Sequence, residues 1–264
     1  MRARITLLLF AILYSFTCLA QTNFEKHFTK KSLRIDFALS GNWDFQAAAI
    51  QQLREEPVWA GPVKNLIDPF GYGGYYINVY DKAGKELIYS RGFNTLFEEW
   101  RSTEQAKTET QSWTNSISIP YPKAPVIIEI TARDKADMQF HPLLKQEIDP
   151  ASIFIDRGKL KENRITKIRY NGDSSGKVDL VFLAEGYTAD EQEKFVADAK
   201  RFTEALFKTP PYDTRREDFN VWAVDAVSEE SGTDVSGKGI FKNTALNSGW
   251  GRSLFNHPGY EVYT

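Results

Sequence analysis

Residues 178–191 read VDLVFLAEGYTADE, and this stretch decides how the second half of the chain folds. Its first seven residues form a nearly continuous apolar run, which is typical of a short strand buried inside a sheet. Thr188 and Glu191 then have the spacing of a capping box, which satisfies free backbone N–H groups at the start of a helix. Four apolar residues follow at helical spacing as one stripe: Phe195, Ala199, Phe202 and Leu206.

The sequence after this helix predicts a second strand. Pro210 and Pro211 end the helix, because proline cannot donate the backbone hydrogen bond that a helix interior requires. Residues 219–227 are a further apolar run. A strand, a helix and a strand in this order predict a βαβ unit with two parallel strands, and residues 164–170 are a candidate for an additional strand.

Between residues 24 and 140 the hydrophobic pattern has a period of two, as in a half-buried strand. The clearest alternation places four apolar residues on one face: Leu33, Ile35, Phe37 and Leu39. Residues 75–80 and 86–90 predict a pair of strands joined by a turn at residues 81–85. Short strands with little helical periodicity predict an antiparallel β-sandwich. The predicted fold class is therefore α+β overall, with an N-terminal antiparallel β-sandwich followed by an incomplete α/β (βαβ) domain.

Prolines and tryptophans add two expectations for the first region. Residues 117–119 and 126–131 predict strands, and the prolines between them are assigned to the connection because proline cannot donate to a sheet ladder. Four tryptophans also lie in this region: Trp43, Trp59, Trp100 and Trp113. Core and edge packing is the simpler explanation for them, and an aromatic face that binds sugar or peptide is the alternative.

Breaks in the pattern divide the chain into segments. His141-Pro142 and Asp149-Pro150 are predicted to interrupt regular structure and so to mark a connector. The predicted organisation is a signal peptide over residues 1–20, a β-sandwich domain over residues 21–140, a connector over residues 141–163 and an incomplete α/β domain over residues 164–264.

The first twenty residues have the pattern of a secretory signal peptide. A short basic start with Arg2 and Arg4 precedes an almost wholly apolar run, and small residues precede a cleavage position after Ala20. We therefore expect an exported protein that is secreted, periplasmic or held at the cell surface. A lipid-modified Cys18 and a retained membrane anchor are the alternatives, and no later segment is long and apolar enough to span a membrane.

The composition excludes several classes of protein. A formal net charge of −2 provides no basic surface for nucleic acid, so no nucleic-acid partner is expected. The single cysteine, Cys18, excludes a disulfide framework and a cysteine-rich zinc scaffold. The three histidines are dispersed along the chain: His27, His141 and His257. No H-E-x-x-H motif occurs in the 264 residues, so the sequence contains no local zinc-binding helix.

Residues 172–176 read GDSSG and match the G-x-S-x-G pattern of serine hydrolases. That pattern requires a strand before the serine and a helix after it, so that the hydroxyl group stands exposed on a strained turn. Here the strand that begins at residue 178 follows the serine instead. A hairpin turn is therefore the preferred interpretation.

One loop follows each of the two predicted parallel strands. Residues 184–187 come after the first strand, and the acidic residues 228–234 come after the second. Proteins of the α/β class place their functional sites in loops at the carboxyl ends of parallel strands. These loops supply four candidate residues for the rim of a cleft: Glu185, Tyr187, Ser231 and Asp234. Ordinary strand-to-helix turns are the alternative interpretation.

Several separated stretches, in a fixed order, carry a resemblance to one protein family. In the second half of the chain they are residues 178–188, Lys194-Phe195, Phe219-Asn220-Val221 and Ser231-Gly232-Thr233-Asp234. Upstream they are Ile119-Pro120-Tyr121-Pro122-Lys123, Thr131-Ala132-Arg133-Asp134 and Ile148-Asp149-Pro150. Over roughly residues 24–247 the chain resembles the immunoglobulin A peptidase family, family sixty-four of the metallopeptidases. The similar parts are that family's amino-terminal β-sandwich domain and the start of its catalytic domain.

The resemblance implies a secreted bacterial zinc endopeptidase, in which an H-E-x-x-H helix and a further ligand bind zinc and the glutamate acts as general base. No position here matches that motif, so no catalytic, cofactor-binding or metal residue is assigned. Zinc is expected only in a full-length family member, whose substrate would be a host or extracellular protein. Residues 249–258 depart from the family's continuation, so we expect a chain truncated or frameshifted near Asn247, before the zinc motif.

Two hypotheses about function remain open at this point. The first is an incomplete member of the metallopeptidase family, inactive as a peptidase by itself. The second belongs to another class: a secreted, non-catalytic β-sandwich module that binds protein or glycan.

Overall fold

The computed structural model describes residues 23–83, 85–160 and 162–250. The predicted signal peptide with its cleavage after Ala20, the alternative lipid site Cys18, and His257 all lie outside the described residues. Within the described part of the chain the fold is α+β and rich in strands, as predicted. No helix in this part is long and apolar enough to cross a membrane.

The described chain contains thirteen strands and four α-helices. The strands are β1 (Phe28–Gly41), β2 (Gln46–Glu56), β3 (Tyr75–Asp81), β4 (Leu87–Phe93), β5 (Gln111–Pro122), β6 (Val126–Arg133), β7 (Phe140–Ile148), β8 (Ile155–Asp156), β9 (Ile165–Arg169), β10 (Val178–Leu183), β11 (Phe219–Val224), β12 (Asp234–Val235) and β13 (Gly249–Trp250). The helices are α1 (Phe24–His27), α2 (Leu96–Trp100), α3 (Gln192–Leu206) and α4 (Tyr212–Arg215).

The chain divides into two compact units. The first unit contains the described residues up to Ser40, together with Gln46–Thr95 and Trp113–Ile155. The second unit contains Gly41–Phe45, Leu96–Ser112 and the described residues from Asp156 onward.

The first unit contains a four-stranded sheet in the order β5-β1-β2-β8. Strand β1 lies inside this sheet, and its predicted alternation is confirmed by four residues with no exposed surface: Leu33, Ile35, Phe37 and Leu39. The side chains between them remain partly exposed. This pattern follows because successive side chains of a strand point to opposite faces of the sheet.

A second four-stranded sheet in this unit, in the order β4-β3-β6-β7, is antiparallel throughout. Strands β3 and β4 confirm the pair that residues 75–80 and 86–90 predict. Aromatic residues of β1 contact β4: the Phe37 and Phe93 rings lie 6.1 Å apart, and the Phe28 and Tyr89 rings 6.5 Å apart. Aromatic side chains of the two sheets are therefore in contact.

Two predictions about proline are only partly correct: Pro125 lies between β5 and β6, and Asp149-Pro150 follows the end of β7, as predicted. Pro120 and Pro122 belong to β5 and not to a connection, and Pro142 belongs to β7 and does not interrupt it. Both strands lie at an edge of their sheet, where a residue without an N–H group need not remove a ladder hydrogen bond. The pairing of β6 with β7 also shifts register beside Pro142. Residues 141–163, predicted as a connector, therefore contain most of β7 and all of β8.

The second unit contains a three-stranded sheet in the order β10-β11-β9. Strands β10 and β11 pair parallel from Val178 opposite Phe219 to Leu183 opposite Val224, and β9 pairs antiparallel with β11. Helix α3 lies between the two parallel strands in sequence and packs on one face of the sheet. The buried residues of this core are Ala184, Phe195, Val196, Ala199 and Ala223.

The start of α3 is capped as predicted. The Thr188 N–H group donates to Glu191 Oε2 at 3.0 Å, and a single 3₁₀ turn over Ala189–Glu191 leads into the helix. This contact satisfies one of the backbone donors that a helix leaves free at its first turn.

The predicted apolar stripe of α3 is correct at Phe195 and Ala199 and wrong at Phe202. Phe202 is 51% exposed, whereas Val196 and Thr203 are buried. The buried arc of the helix is therefore rotated toward Val196, and Phe202 lies just outside it.

Two predictions about β10 and the turn before it are also wrong. β10 is not buried, because it lies at an edge of the described sheet; Val181 and Leu183 are 48% and 50% exposed. Residues 172–176 do not form a hairpin turn, because β9 and β10 flank β11 and do not pair with each other. Instead Ser174–Gly176 form a 3₁₀ turn that follows the cap residue Asp173.

The four tryptophans of the first region differ in their surroundings. Trp100 on α2 is 1% exposed and belongs to the core. Trp59 packs edge-on against Tyr89, with ring centroids 6.0 Å apart. Trp113 is half-buried on β5, and Trp43 is 39% exposed. Packing therefore accounts for Trp100 and Trp59.

We expect the isoleucines of the first unit to differ sharply in their contribution to stability. Ile35→Ala removes a fully buried side chain from β1 and should lower the free energy of unfolding by about 2–5 kcal/mol. Ile153→Ala, at a position 87% exposed, is the matched control and should change it by less than about 0.5 kcal/mol. Urea unfolding followed by fluorescence measures both, and equal effects would contradict this description of the core.

Candidate functional site at the ends of two parallel strands

The loops that follow β10 and β11 are joined by backbone hydrogen bonds. The Ser228 N–H group donates to the Tyr187 carbonyl at 2.9 Å, and the Gly232 N–H group donates to the Gly186 carbonyl at 2.9 Å. Because β10 and β11 are parallel neighbours, their carboxyl ends lie side by side and bring the two loops together. The structure therefore brings together the two loops that supply the predicted rim residues.

This contact requires glycine at residue 186. Gly186 has φ +72°, and a Cβ atom there would lie 2.1 Å from the Gly232 carbonyl oxygen. Any side chain at this position would therefore push the two loops apart.

Ser228 connects a third segment, which contains Ala245, to the loop that contains Gly186. Its side chain is almost fully buried, and its Oγ accepts hydrogen bonds from the Gly186 and Ala245 N–H groups, each at 3.0 Å. Three separate stretches of chain thus converge at the ends of the parallel strands: residues 184–187, 228–234 and 242–248.

Glu185 makes the densest set of contacts in this region. Its Oε1 accepts hydrogen bonds from Thr244 Oγ1 at 2.5 Å, from the Ser248 N–H group at 2.9 Å and from Ser248 Oγ at 2.8 Å. Its Oε2 accepts from the Leu246 N–H group at 2.8 Å. Every one of these donors belongs to residues 244–248, so the carboxylate holds that segment against the end of β10.

The hydrogen bonds around Glu185 favour its ionised form. Partial burial alone raises the pKa of Glu185, but the donors from Thr244, Ser248 and Leu246 together lower it below its ordinary value. The side chain is therefore a charged acceptor whose oxygens are engaged by this chain's own donors.

The other three predicted rim residues are also engaged by neighbouring groups. The Tyr187 hydroxyl donates to Asp198 Oδ2 at 3.0 Å, and burial together with that carboxylate raises the pKa of Tyr187. The Ser231 hydroxyl donates to Glu191 Oε1 at 3.0 Å. Asp234 is almost fully buried, and its Oδ1 accepts from the Lys242 N–H group at 2.6 Å. A role for these side chains in a cleft stays a prediction.

The acidic residues of the second loop also bind protein groups. Glu230 Oε2 accepts from the Asn243 N–H group at 2.7 Å, and Glu229 Oε2 accepts from the Asn243 side-chain amide at 2.6 Å. Lys242 Nζ lies 3.3 Å from Glu230 Oε1. Glu229 and Glu230 therefore bind residues 242–243 to the loop after β11.

The described residues do not supply a set of metal ligands. Across residues 23–83, 85–160 and 162–250, no three histidine, cysteine, aspartate or glutamate side chains converge as ligands would. Of the two described histidines, His27 ends α1, and His141 contacts Asp137 at 2.8 Å. The described residues thus do not fit a zinc ion, and zinc in a full-length family member stays a prediction.

Sequence reasoning missed the residues that organise this site. Ser228, Thr244 and Ser248 carry no motif, and Thr244 lies 59 residues from the carboxylate that it contacts. The one available signal was Gly186, because a glycine at a strand end readily adopts the positive φ that a tight turn needs.

We predict that Glu185→Gln loosens residues 244–248. The amide keeps one acceptor oxygen and replaces the other with a donor group, so the free energy of unfolding should fall by about 1–3 kcal/mol. Hydrogen exchange at residues 244–248 should become faster in the variant, while exchange in β1 should stay unchanged. Unchanged exchange at residues 244–248 would contradict the assigned contacts.

The same variant gives a prediction for pH dependence. The folded-state pKa of Glu185 lies below its ordinary value of 4.5, so the stability that the carboxylate contributes is fully present above pH 4.5. That contribution is lost as the pH falls through the folded-state pKa. The difference in melting temperature between the wild type and Glu185→Gln should therefore shrink in acid, and a difference that grows in acid would contradict this sign.

Comparison with known families gives two matches in succession along the chain. Residues 23–143 match the family described as Peptidase M64 N-terminus, and residues 166–256 match the family described as IgA Peptidase M64. No curated protein matches the chain. The two family matches span residues 23–256, including both structural units and the loops that meet at Gly186. On this basis the chain belongs to the M64 peptidase family.

Proposed function

We propose that this protein is the amino-terminal part of a secreted zinc metalloendopeptidase of the M64 family, and that the chain by itself has no peptidase activity. The observation that carries the proposal is the order of the two family matches, with the N-terminus family at residues 23–143 and the peptidase family at residues 166–256. The described residues of both matches contain the four α-helices and most of the strands of the two units.

The first unit would serve as a non-catalytic β-sandwich domain. The contacts between β1 and β4, at Phe28 with Tyr89 and Phe37 with Phe93, support two sheets packed face to face. The division at residues 21–140, 141–163 and 164–264 belongs to the same proposal, although β7 and β8 extend regular structure into the middle segment.

The second unit would begin the peptidase domain. Its parallel strands, the helix between them and the loops held by Glu185 support an incomplete α/β domain. In a family member that carries an H-E-x-x-H helix, the residues of that helix would hold a zinc ion, which would supply Lewis-acid chemistry for peptide hydrolysis. The described carboxylates at the strand ends accept hydrogen bonds from Thr244, Ser248 and Asn243, so their contribution would be to fix loop shape.

The absence of activity is tested by measuring zinc and proteolysis together. We expect substoichiometric zinc after dialysis, and no chelator-sensitive cleavage of casein or immunoglobulin A by the purified chain. Stoichiometric zinc with cleavage that a chelator abolishes would overturn the proposal. The variant His141→Ala is the control for adventitious metal, because His141 is half exposed beside Asp137 and any loosely bound zinc should fall in that variant.

Export is the second part of the proposal and has its own test. The mature protein recovered from the culture medium or cell envelope should begin at Gln21, because the small residues before it suit signal cleavage. Cys18→Ala should leave export unchanged if Cys18 carries no lipid. Retention of Met1 in the recovered protein, or loss of export in Cys18→Ala, would contradict cleavage after Ala20.

A further inference from the structure

A cavity of about 390 Å³ lies beside β4 in the first unit. Its walls come from two stretches of chain, residues 62–70 and residues 89–92. Pro62, Ile67 and Pro69 supply apolar wall, and polar side chains lie between them. A mostly apolar cavity of this size with a few polar groups is typical of a site for a small molecule.

The Tyr89 hydroxyl is a polar group of this cavity without a protein partner. Tyr89 lines the cavity and is 3% exposed, and its ring packs edge-on against Phe28 and Trp59. In the part of the chain that the structure describes, no group forms a hydrogen bond with this hydroxyl. Burial raises the pKa of Tyr89 to about 12, so the hydroxyl stays protonated at neutral pH. It therefore needs a hydrogen-bond partner inside the cavity.

Charges of both signs line the same cavity. Arg91 is exposed at the wall and forms no ion pair or hydrogen bond with the residues that the structure describes. Asp68 also lines the cavity, and its carboxylate accepts from the Phe70 and Gly92 N–H groups, each at 3.0 Å. Partial burial raises the pKa of Asp68, but these N–H donors lower it below its ordinary value. The carboxylate is therefore ionised at neutral pH.

Two exposed aromatic rings lie together at this place. Phe70 lines the cavity and is 69% exposed, and Tyr72 is 75% exposed. Their rings are nearly parallel, with an interplanar angle of 10° and centroids 5.7 Å apart. The flat face of an aromatic ring is apolar and packs well against C–H groups. The cavity therefore has an accessible apolar face beside its polar groups.

The loop that carries these rings is held in place by other residues. Arg133 Nε donates to the Gly73 carbonyl at 3.2 Å, and Arg133 Nη2 donates to the Gly71 carbonyl. A Cβ atom at Gly92 would lie 2.3 Å from the Tyr72 carbonyl oxygen, so the loop lies directly against β4. A site that is already ordered loses less conformational entropy when a ligand binds.

We propose that this cavity binds a neutral sugar, whose ring packs on Phe70 and whose hydroxyl groups bond to Tyr89 and Arg91. Sugar hydroxyl groups both donate and accept, so they can pair with the Tyr89 hydroxyl and accept from the Arg91 guanidinium group. The C–H face of the same sugar ring matches the flat face of Phe70. This inference goes beyond the proposed peptidase family function and does not depend on it.

The charges of the cavity argue against other small molecules. An anion would lie near the Asp68 carboxylate, and a cation would lie near the Arg91 guanidinium group, so each would meet a like charge. A purely apolar molecule would leave the Tyr89 hydroxyl unpaired. A neutral molecule with many hydroxyl groups avoids all three costs.

An extended peptide is also a poorer match than a sugar. Peptides that bind beside a strand pair with free backbone groups at its edge. Along this part of β4 the edge is already occupied, because the Ser90 N–H group donates to the Leu66 carbonyl at 2.9 Å and the Gly92 N–H group donates to Asp68. The backbone of β4 therefore offers a peptide no pairing at these two residues.

NMR titration of the full chain tests the proposal. The probes are the methyl glycosides of glucose, galactose, mannose and N-acetylglucosamine, and the capped peptide acetyl-Ala-Pro-Ala-amide is the comparison. At least one glycoside should bind saturably and shift the amide signals of Phe70 and Gly92. Failure of every glycoside to bind would overturn the proposal. Shifts of the same signals by the peptide and by no glycoside would overturn it as well, and would assign the cavity to a peptide.

Variants of the chain test the location of the site. Tyr89→Phe removes only the hydroxyl group and should weaken glycoside binding about three- to tenfold, with an unchanged melting temperature. Phe70→Ala removes the exposed ring and should weaken binding about tenfold. The matched control is Phe154→Ala, at a position 85% exposed in the same unit, and it should leave binding unchanged. A lower melting temperature in Tyr89→Phe, or equal weakening by Phe70→Ala and Phe154→Ala, would contradict the assigned site.

Discussion

The parallel pairing of β10 with β11 is the constraint on which the second unit depends. It aligns the two strands from Val178 opposite Phe219 to Leu183 opposite Val224. Parallel strands cannot be joined by a tight turn, so the chain must cross over, and α3 lies in that crossover. The same pairing brings two loops to one end of the sheet, where Gly186 and Ser228 can fasten them.

Features that depend on local sequence were predictable. The alternation at Leu33 and Ile35, the capping residues Thr188 and Glu191, and the existence of both parallel strands follow from side-chain periodicity and helix-start chemistry. Features that depend on position within a sheet were not predictable. Strand β7 can contain Pro142 because β7 lies at the edge of its sheet, and β10 is exposed because it also lies at an edge. The residues next to Pro142 and β10 in sequence do not indicate which strands pair with these two strands.

The candidate site also combines predictable and unpredictable features. The proximity of the loops after β10 and β11 could be predicted from the parallel pairing of the two strands. The hydrogen bonds that the side chains of these loops make could not. Glu185 has the residue type and the strand-end position of a catalytic carboxylate, yet its oxygens accept hydrogen bonds from Thr244, Leu246 and Ser248. Leu246 and Ser248 donate through their backbone N–H groups. Every residue except proline has such a group, so no sequence motif identifies these two donors.

The close approach of Gly186 to Gly232 bears on how this family can be engineered. A Cβ atom added at residue 186 would lie only 2.1 Å from the Gly232 carbonyl oxygen. The backbone conformation of each loop is therefore restricted by the other. A loop grafted singly from another family member would meet a partner shaped for a different backbone. A chimera that exchanges loop 184–187 between homologues should therefore fold stably only when loop 228–234 comes from the same homologue. The two loops would then have to change together.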